Sequence, residues 1–256
     1  MCTHQIDAHL PLEPSNRQTR PPGAFHLPAA SRLVDLTHVL HPSFPIWPGE
    51  APIEIAPVIT FEKDGCSVNR VTASEHIGTH LDAPRHFWHG PSADELDPAG
   101  FFAPLVIIDI RARAAEDADA MVTVEDLATW ERLHEQIPGG AFVAMLSGWE
   151  QHIGDPFRFL NASPDGSLHF PGFSEEAATW LAEQRDVVGI GVDTLSIDAG
   201  FATNFPVHKA ILPRGCYAVE NLARLGDVPQ VGATIIVGAP KHRGASGGQC
   251  RVFAVA

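Results

Sequence analysis

Cysteine is scarce in this chain and nowhere paired: Cys2, Cys66, Cys216 and Cys250 lie far apart, and no C-x-x-C occurs. That excludes a zinc ribbon or a thioredoxin-type motif, and four cysteines in 256 residues make no disulfide framework. With no local sign of activation, Cys66, Cys216 and Cys250 read as small buried hydrophobes rather than nucleophiles. No apolar run approaches the ~18 residues of a membrane-spanning helix. The N-terminus lacks the basic start and apolar stretch of a signal peptide, so the cytoplasm is the expected location. Positive charge is also short: 17 Lys and Arg stand against 31 Asp and Glu, a formal net charge of −14. Such a surface repels phosphate backbones, so neither nucleic acid nor a membrane is an expected partner.

A hydrophobic share of 45% with 19% charged residues describes a globular protein able to bury one sizeable core. Residues 1–30 carry several prolines and little periodicity, and read as a flexible arm, disordered or wrapped over a neighbouring subunit. Residues 31–256 form the expected domain. Strands are predicted at Leu33–Leu36, Ile53–Phe61, Ser67–Ser74, Leu105–Ile110, Ala141–Leu146, Val187–Val192, Ala233–Val237 and Val252–Val255, short runs rich in Val and Ile. Thr123 and Asp126 suggest a capping box before Leu127, Trp130 and Leu133, which recur at helical spacing. Ser174 can cap a second helix with Trp180 and Leu181 on its inner face. Pro206 suits the start of a third over Val207–Leu212. Trp149–Pro171 has little periodicity and reads as a long loop. This pattern predicts an α/β or α+β domain with a strand-rich core.

The chemistry concentrates at Glu75–Gly90, EHIGTHLDAPRHFWHG, where four of the 14 histidines fall between His76 and His89. Neutral imidazole and carboxylate are the usual ligands of zinc and manganese. His76, His80, Asp82 and His86 share one parity, so an extended chain would turn them to one side. A straight strand would nevertheless hold His76 and His80 ~13 Å apart, too far for one ion. The chain must bend between them, and Gly78 permits the bend. Gly78 and Pro84 both argue against a helix, and the Glu of the H-E-x-x-H protease motif is missing. The expectation is a tight turn at a strand end that presents three ligands.

The run His76-x-Gly-Thr-His80-x-Asp82-x-Pro84-x-His86 resembles the signature of the metal-dependent cyclase family, which includes bacterial kynurenine formamidases and isatin hydrolases. Asp35-Leu-Thr-His38, Phe44-Pro-x-Trp47-Pro-Gly, Asp193-Thr-x-Ser-x-Asp198, Phe205-Pro-x-His208 and Glu220-Asn-Leu resemble its other landmarks, from about Leu33 to Phe253. The resemblance implies a swivelling β/β/α domain, a mixed sheet with flanking helices, that assembles as a homo-oligomer, a dimer or tetramer. It implies His76, His80 and Asp82 as metal ligands and His86 as the proton-transfer residue. His208 and Glu220, twelve positions apart as in the formamidases, would hold a second ion, whereas the isatin hydrolase branch works with one. Trp47 aligns with a substrate-contacting aromatic. The expected cofactor is Zn2+ or Mn2+, one or two ions. The expected reaction is hydrolysis of a small-molecule amide by activated water, with N-formylkynurenine as first choice of substrate. The alternatives are an isatin-like lactam or lactone hydrolase, a polyketide cyclase, and a non-catalytic metal-binding protein.

One further motif, Gly244-Ala-Ser246-Gly-Gly248, matches the G-x-S-x-G nucleophile elbow. That fold needs an acid and then a histidine downstream, and none follows Ser246. A glycine-rich turn closing the active site is the better reading of Gly238–Gly248.

Overall fold

A computed structural model describes residues 32–256, and Arg32–Ala256 form one compact unit. The expected N-terminal arm, and Cys2 with it, falls outside the described residues. In chain order the strands are β1 (Leu33–Asp35), β2 (Glu54–Ile59), β3 (Val68–Thr72), β4 (His80–Asp82), β5 (Phe102–Asp109), β6 (Met121–Val122) and β7 (Phe142–Leu146). They continue with β8 (Gly172–Phe173), β9 (Gly189–Val192), β10 (Tyr217–Glu220), β11 (Ala233–Gly238), β12 (Gly247–Gln249) and β13 (Arg251–Val255). The helices are α1 (Phe61–Asp64), α2 (Arg111–Glu116), α3 (Val124–Leu133), α4 (Pro156–Leu160), α5 (Glu175–Arg185) and α6 (Pro206–Ile211).

Nine strands form one mixed sheet in the order β1-β13-β11-β5-β7-β9-β10-β4-β12. Its centre, β5-β7-β9-β10, is parallel, and both flanks are antiparallel. The parallel strands are covered on both faces, which is why they read as nearly unbroken apolar runs. Side chains alternate across the sheet. Val106 and Ile108 of β5 pack with Leu127 of α3, Leu181 of α5 and Ile211 of α6. Leu105 and Ile107 face the other way, toward Val34, Phe142, Ile235 and Val252. The sheet curls around this second layer, with β1 and β13 along one flank. The fold is therefore the mixed α/β arrangement with flanking helices that the family resemblance implies.

The helix starts follow their capping chemistry. Thr123 N donates to Asp126 Oδ2 at 2.7 Å, and Asp126 N donates back to Thr123 Oγ1 at 3.3 Å. Ser174 Oγ accepts from Ala177 N at 3.1 Å. Leu127 and Trp130 are buried as their spacing suggests, but Leu133 ends the helix and is exposed. Trp180 is partly buried, with the Arg185 guanidinium 4.1 Å from its ring centre. The segment Trp149–Pro171 is not the structureless loop expected. Asp155 caps the short α4, accepting from Phe157 N and Arg158 N, and Trp149, Phe159, Leu168 and Phe170 bury together with Leu195. These aromatics make a small satellite core without any regular period. Cys216 and Cys250 are buried as expected, but Cys66 is exposed beside α1. No helix among the described residues is long and apolar enough to cross a membrane.

Phe142 is the largest side chain in the central sheet with no exposure, and an added Cβ on Gly191 would collide with its ring at 2.7 Å, while one on Gly189 would press against it at 3.2 Å. Phe142→Ala should therefore destabilise the domain by about 3–5 kcal/mol through lost burial and a residual cavity. Urea unfolding would measure this, and a loss below about 1 kcal/mol would mean the layer is packed differently.

Candidate metal centre

Three of the shortest strands hold the site. β4 lies between β10 and β12, with His80 opposite Glu220 and Gln249, and Asp82 opposite Ala218 and Gly247. His80 and Asp82 are two residues apart and share a face, as does Glu220 across the ladder. Gly78 has φ +69°, in the left-handed region, and makes the predicted bend that brings His76 back toward β4. Pro84–His86 form a single 3-10 turn, which carries His86 over the same place. His208 arrives from α6, whose N-terminal residues are held by Asp198, which accepts from Val207 N at 2.8 Å.

The donor atoms converge. His80 Nε2 lies 3.3 Å from Asp82 Oδ1 and 3.3 Å from Glu220 Oε2. His208 Nε2 lies 3.2 Å from Asp82 Oδ2 and 3.3 Å from Glu220 Oε1. His76 Nδ1 is 2.6 Å from Asp82 Oδ1. Each of the two deep imidazoles is aimed from behind. His80 Nδ1 bonds Gly78 O at 2.9 Å, and His208 Nδ1 bonds Asp198 Oδ2 at 2.6 Å. Such backing fixes ring orientation and leaves Nε2 facing the centre. Among the described residues two groups of three could hold an ion: His76, His80 and Asp82, and Asp82, His86 and His208. Asp82 belongs to both. Glu220 touches both deep histidines but joins neither group. His86 falls in the second group rather than clearly beside the ligands, and its ring stacks on His76 at 3.8 Å.

The residues suit a divalent cation. Asp82, Asp198 and Glu220 are buried, and their side-chain ion pairs among the described residues are to histidines alone. Buried carboxylates need compensating positive charge. Two donors each ~2.1 Å from one ion at the tetrahedral angle sit ~3.4 Å apart, close to the spacing around His80 and His208. Burial alone would push both histidines down, but Asp82 and Glu220 raise His80 to about 10, and Asp198, Asp82 and Glu220 hold His208 well above the usual range. Protons thus stand where a cation could. His86 differs: burial pushes it down to about 4, so its imidazole is neutral across the physiological range.

Beside the cluster lies a cavity of about 180 Å³. Trp47, Phe87, Leu195 and Phe205 form its apolar wall, and the histidines form the other side. The rings of Trp47 and Phe205 are 5.6 Å apart, and those of Phe87 and Phe205 are 5.2 Å apart. Trp47, expected as a substrate-contacting aromatic, lines this cavity with Phe205, which the sequence offered as a landmark before His208 without a role, and with Phe87, which had no pattern of its own. The sequence likewise offered Asp198 as a landmark without a role, and its position ten residues before His208 was the available signal.

The family model described as "Putative cyclase" matches residues 34–199, well over half the chain. An isatin hydrolase of Roseibium aggregatum is 32% identical over 251 residues, covering 91% of this chain and 95% of that protein. A kynurenine formamidase of Erythrobacter litoralis is 28% identical over 201 residues, covering 78% of this chain and 82% of that protein. The solved structure of isatin hydrolase A from Ralstonia solanacearum superposes with a TM-score of 0.83 at 36% identity, covering 88% of this chain and 92% of that one. With the family model, the sequence likeness and the shared fold all running through the histidine signature, the chain belongs to the cyclase family.

Proposed function

We propose that this hydrolase opens a neutral lactam fused to an aromatic ring, of the isatin kind, using a divalent ion held at His76, His80 and Asp82. The observation that carries the substrate class is the cavity. It joins an aromatic wall to the histidine cluster, and its lining contains no lysine or arginine. N-formylkynurenine, the first choice from sequence, carries a zwitterionic amino-acid end, and the lining offers its carboxylate neither lysine nor arginine, which makes burying that end costly. The likeness to isatin hydrolases at 32% and 36% against 28% for a kynurenine formamidase supports the same choice.

When bound, a Zn2+ or Mn2+ ion supplies Lewis acidity to water and to the scissile carbonyl. The chain's own residues do the rest. Asp82 orients the site between two histidine groups, which leaves room for one ion or two, the second at His208 with His86 or Glu220. Trp47, Phe87 and Phe205 hold a flat ring against the cluster and exclude water. His86 is neutral and stacked over His76, so it can accept a proton from the attacking water and return it to the leaving nitrogen.

Three expectations follow from this reading. Turnover of isatin should exceed that of N-formylkynurenine, compared as kcat/KM on the purified protein. Preference for the formyl substrate would reverse the assignment, and activity on neither or on lactones alone would move it elsewhere. Chelation should abolish hydrolysis, and metal affinity should climb as pH rises through neutrality. The sign follows from His80 and His208, whose raised pKa values mean that an entering ion must displace their protons. Activity that survives complete metal removal would defeat the metal reading. Finally, His86→Ala should keep metal and fold while losing roughly 10²–10⁴-fold in turnover, the usual worth of a positioned acid–base group. Metal content measured on the same variant separates the roles, because a drop in bound metal would make His86 a ligand.

A further inference from the structure

The bend that brings His76 back toward β4 is held from behind. His76 and His80 are four residues apart, and their ring centres lie 5.3 Å from one another. Gly78 permits that turn but does not fix it, since glycine has the most backbone freedom of any residue. Three distant segments fix it. The Cys250 N–H donates to Thr79 O at 3.1 Å, and the His38 N–H donates to Thr79 Oγ1 at 3.0 Å. The third partner is Asn221, which takes hold twice. Its Nδ2 donates to Gly78 O at 3.0 Å, and its main-chain carbonyl accepts from Thr79 Oγ1 at 2.6 Å. Asn221 and Thr79 are 1% and 3% exposed, so bulk water does not replace these bonds if they are lost.

Asn221 is itself placed by the ladder. Glu220 lies opposite His80 in the antiparallel pair of β10 and β4, so the next residue arrives beside Thr79. There its backbone turns into the left-handed region, with φ 55°, and its N–H donates to Thr194 O at 3.0 Å. Glycine, asparagine and aspartate are the types that enter this region most readily. Gly78 O can only accept, so its partner must donate. Glycine has no side chain with which to do so, and an ionised aspartate has no proton to give. Asparagine alone of the three combines this backbone conformation with an N–H for the bend. The same requirement settles which end of the amide faces Gly78.

We propose that Asn221 is a positioning residue for the metal centre, its amide and main-chain carbonyl clamping the Gly78–Thr79 bend so that His76 and His80 keep their mutual distance and angle. Asn221 follows Glu220 directly, so one residue ties the β10 side of the cluster to the bend between the two signature histidines. The consequence for metal rests on the metal reading above, whereas the clamp rests on uncharged groups and on the fold.

The test uses the full chain. Asn221→Gly keeps the left-handed backbone and removes the amide, and Thr79→Val keeps the side-chain shape and removes the hydroxyl. Circular dichroism and a thermal melt check that each variant folds. In metal-free protein, amide hydrogen exchange across residues 77–81 should quicken in Asn221→Gly, while exchange in α3 and α5 stays as in the wild type. Co2+ serves as the metal probe. Its affinity, measured by chelator competition, should fall about 10–100-fold, the usual cost of removing a partner behind a ligand. The visible absorption of bound Co2+ reports how its ligands are arranged, and at saturation the variant's bands should shift from their wild-type positions. Lower stability alone would not move them. A folded Asn221→Gly with wild-type exchange, affinity and spectrum would overturn the proposal, and so would a lower melting temperature with all three unchanged. If Asn221→Gly does not fold, Thr79→Val decides by the same readouts in the same directions. A wild type that binds neither Co2+, Zn2+ nor Mn2+, with exchange at the bend still quickened in the variant, would leave the clamp standing and sink the metal reading instead.

Discussion

The structure depends on one buried carboxylate. Asp82 is 1% exposed and sits on an inner strand near the end of the sheet, where water cannot neutralise its charge. Three histidines meet it, from the bend before β4, from β4 itself and from α6. A charge in that position must be compensated by well-placed partners, and the penalty for misplacing any of them is several kcal/mol. The surrounding architecture supplies the placement. β10 and β12 flank β4 and fix its register, Asp198 turns His208, and Gly78 both bends the chain and accepts from His80.

The same constraint shapes the cavity. Phe205 precedes α6 with φ 50° and ψ 54°, a left-handed conformation that costs a bulky residue about 1–3 kcal/mol. The conformation starts the helix that carries His208, and it puts the Phe205 ring between Trp47 and Phe87. One strained residue thus links the helix that carries His208 to the aromatic wall. The wall and the cluster are the two halves of one cavity, apolar on one side and lined by ionisable groups on the other. The fold alone would not distinguish substrates, since one architecture serves many chemistries. The proposal of a neutral ring over an amino-acid substrate rests on the absence of lysine and arginine from the lining.

Elements with strong local chemistry were legible in the sequence. The capped helices α3 and α5 and the apolar strands β5, β7, β9 and β11 follow from side-chain hydrogen bonding and from β-branched runs. The strands that hold the site were not. β4, β10 and β12 have three or four residues each and carry His, Asp, Glu and Gly where an apolar alternation would be expected. Their pairing is decided by neighbours distant in sequence, so no window of local pattern reveals it. The satellite core of Trp149, Phe159, Leu168 and Phe170 was hidden for the same reason, its members being united only by packing against Leu195.

The sequence by itself determined the histidine and carboxylate cluster of the signature, the bend at Gly78 and the family, because a dense run of histidine, glycine and aspartate constrains local backbone and local chemistry together. Tertiary structure alone decided which atoms face one another. His208 and Glu220 come from elements far from the signature, and their meeting with His80 and Asp82 depends on strand order and register. Ser246 could be recognised as a partner of His76 only once β12 was laid beside β4, since hydrogen bonds reach about 3 Å while the two residues are 170 positions apart in the chain.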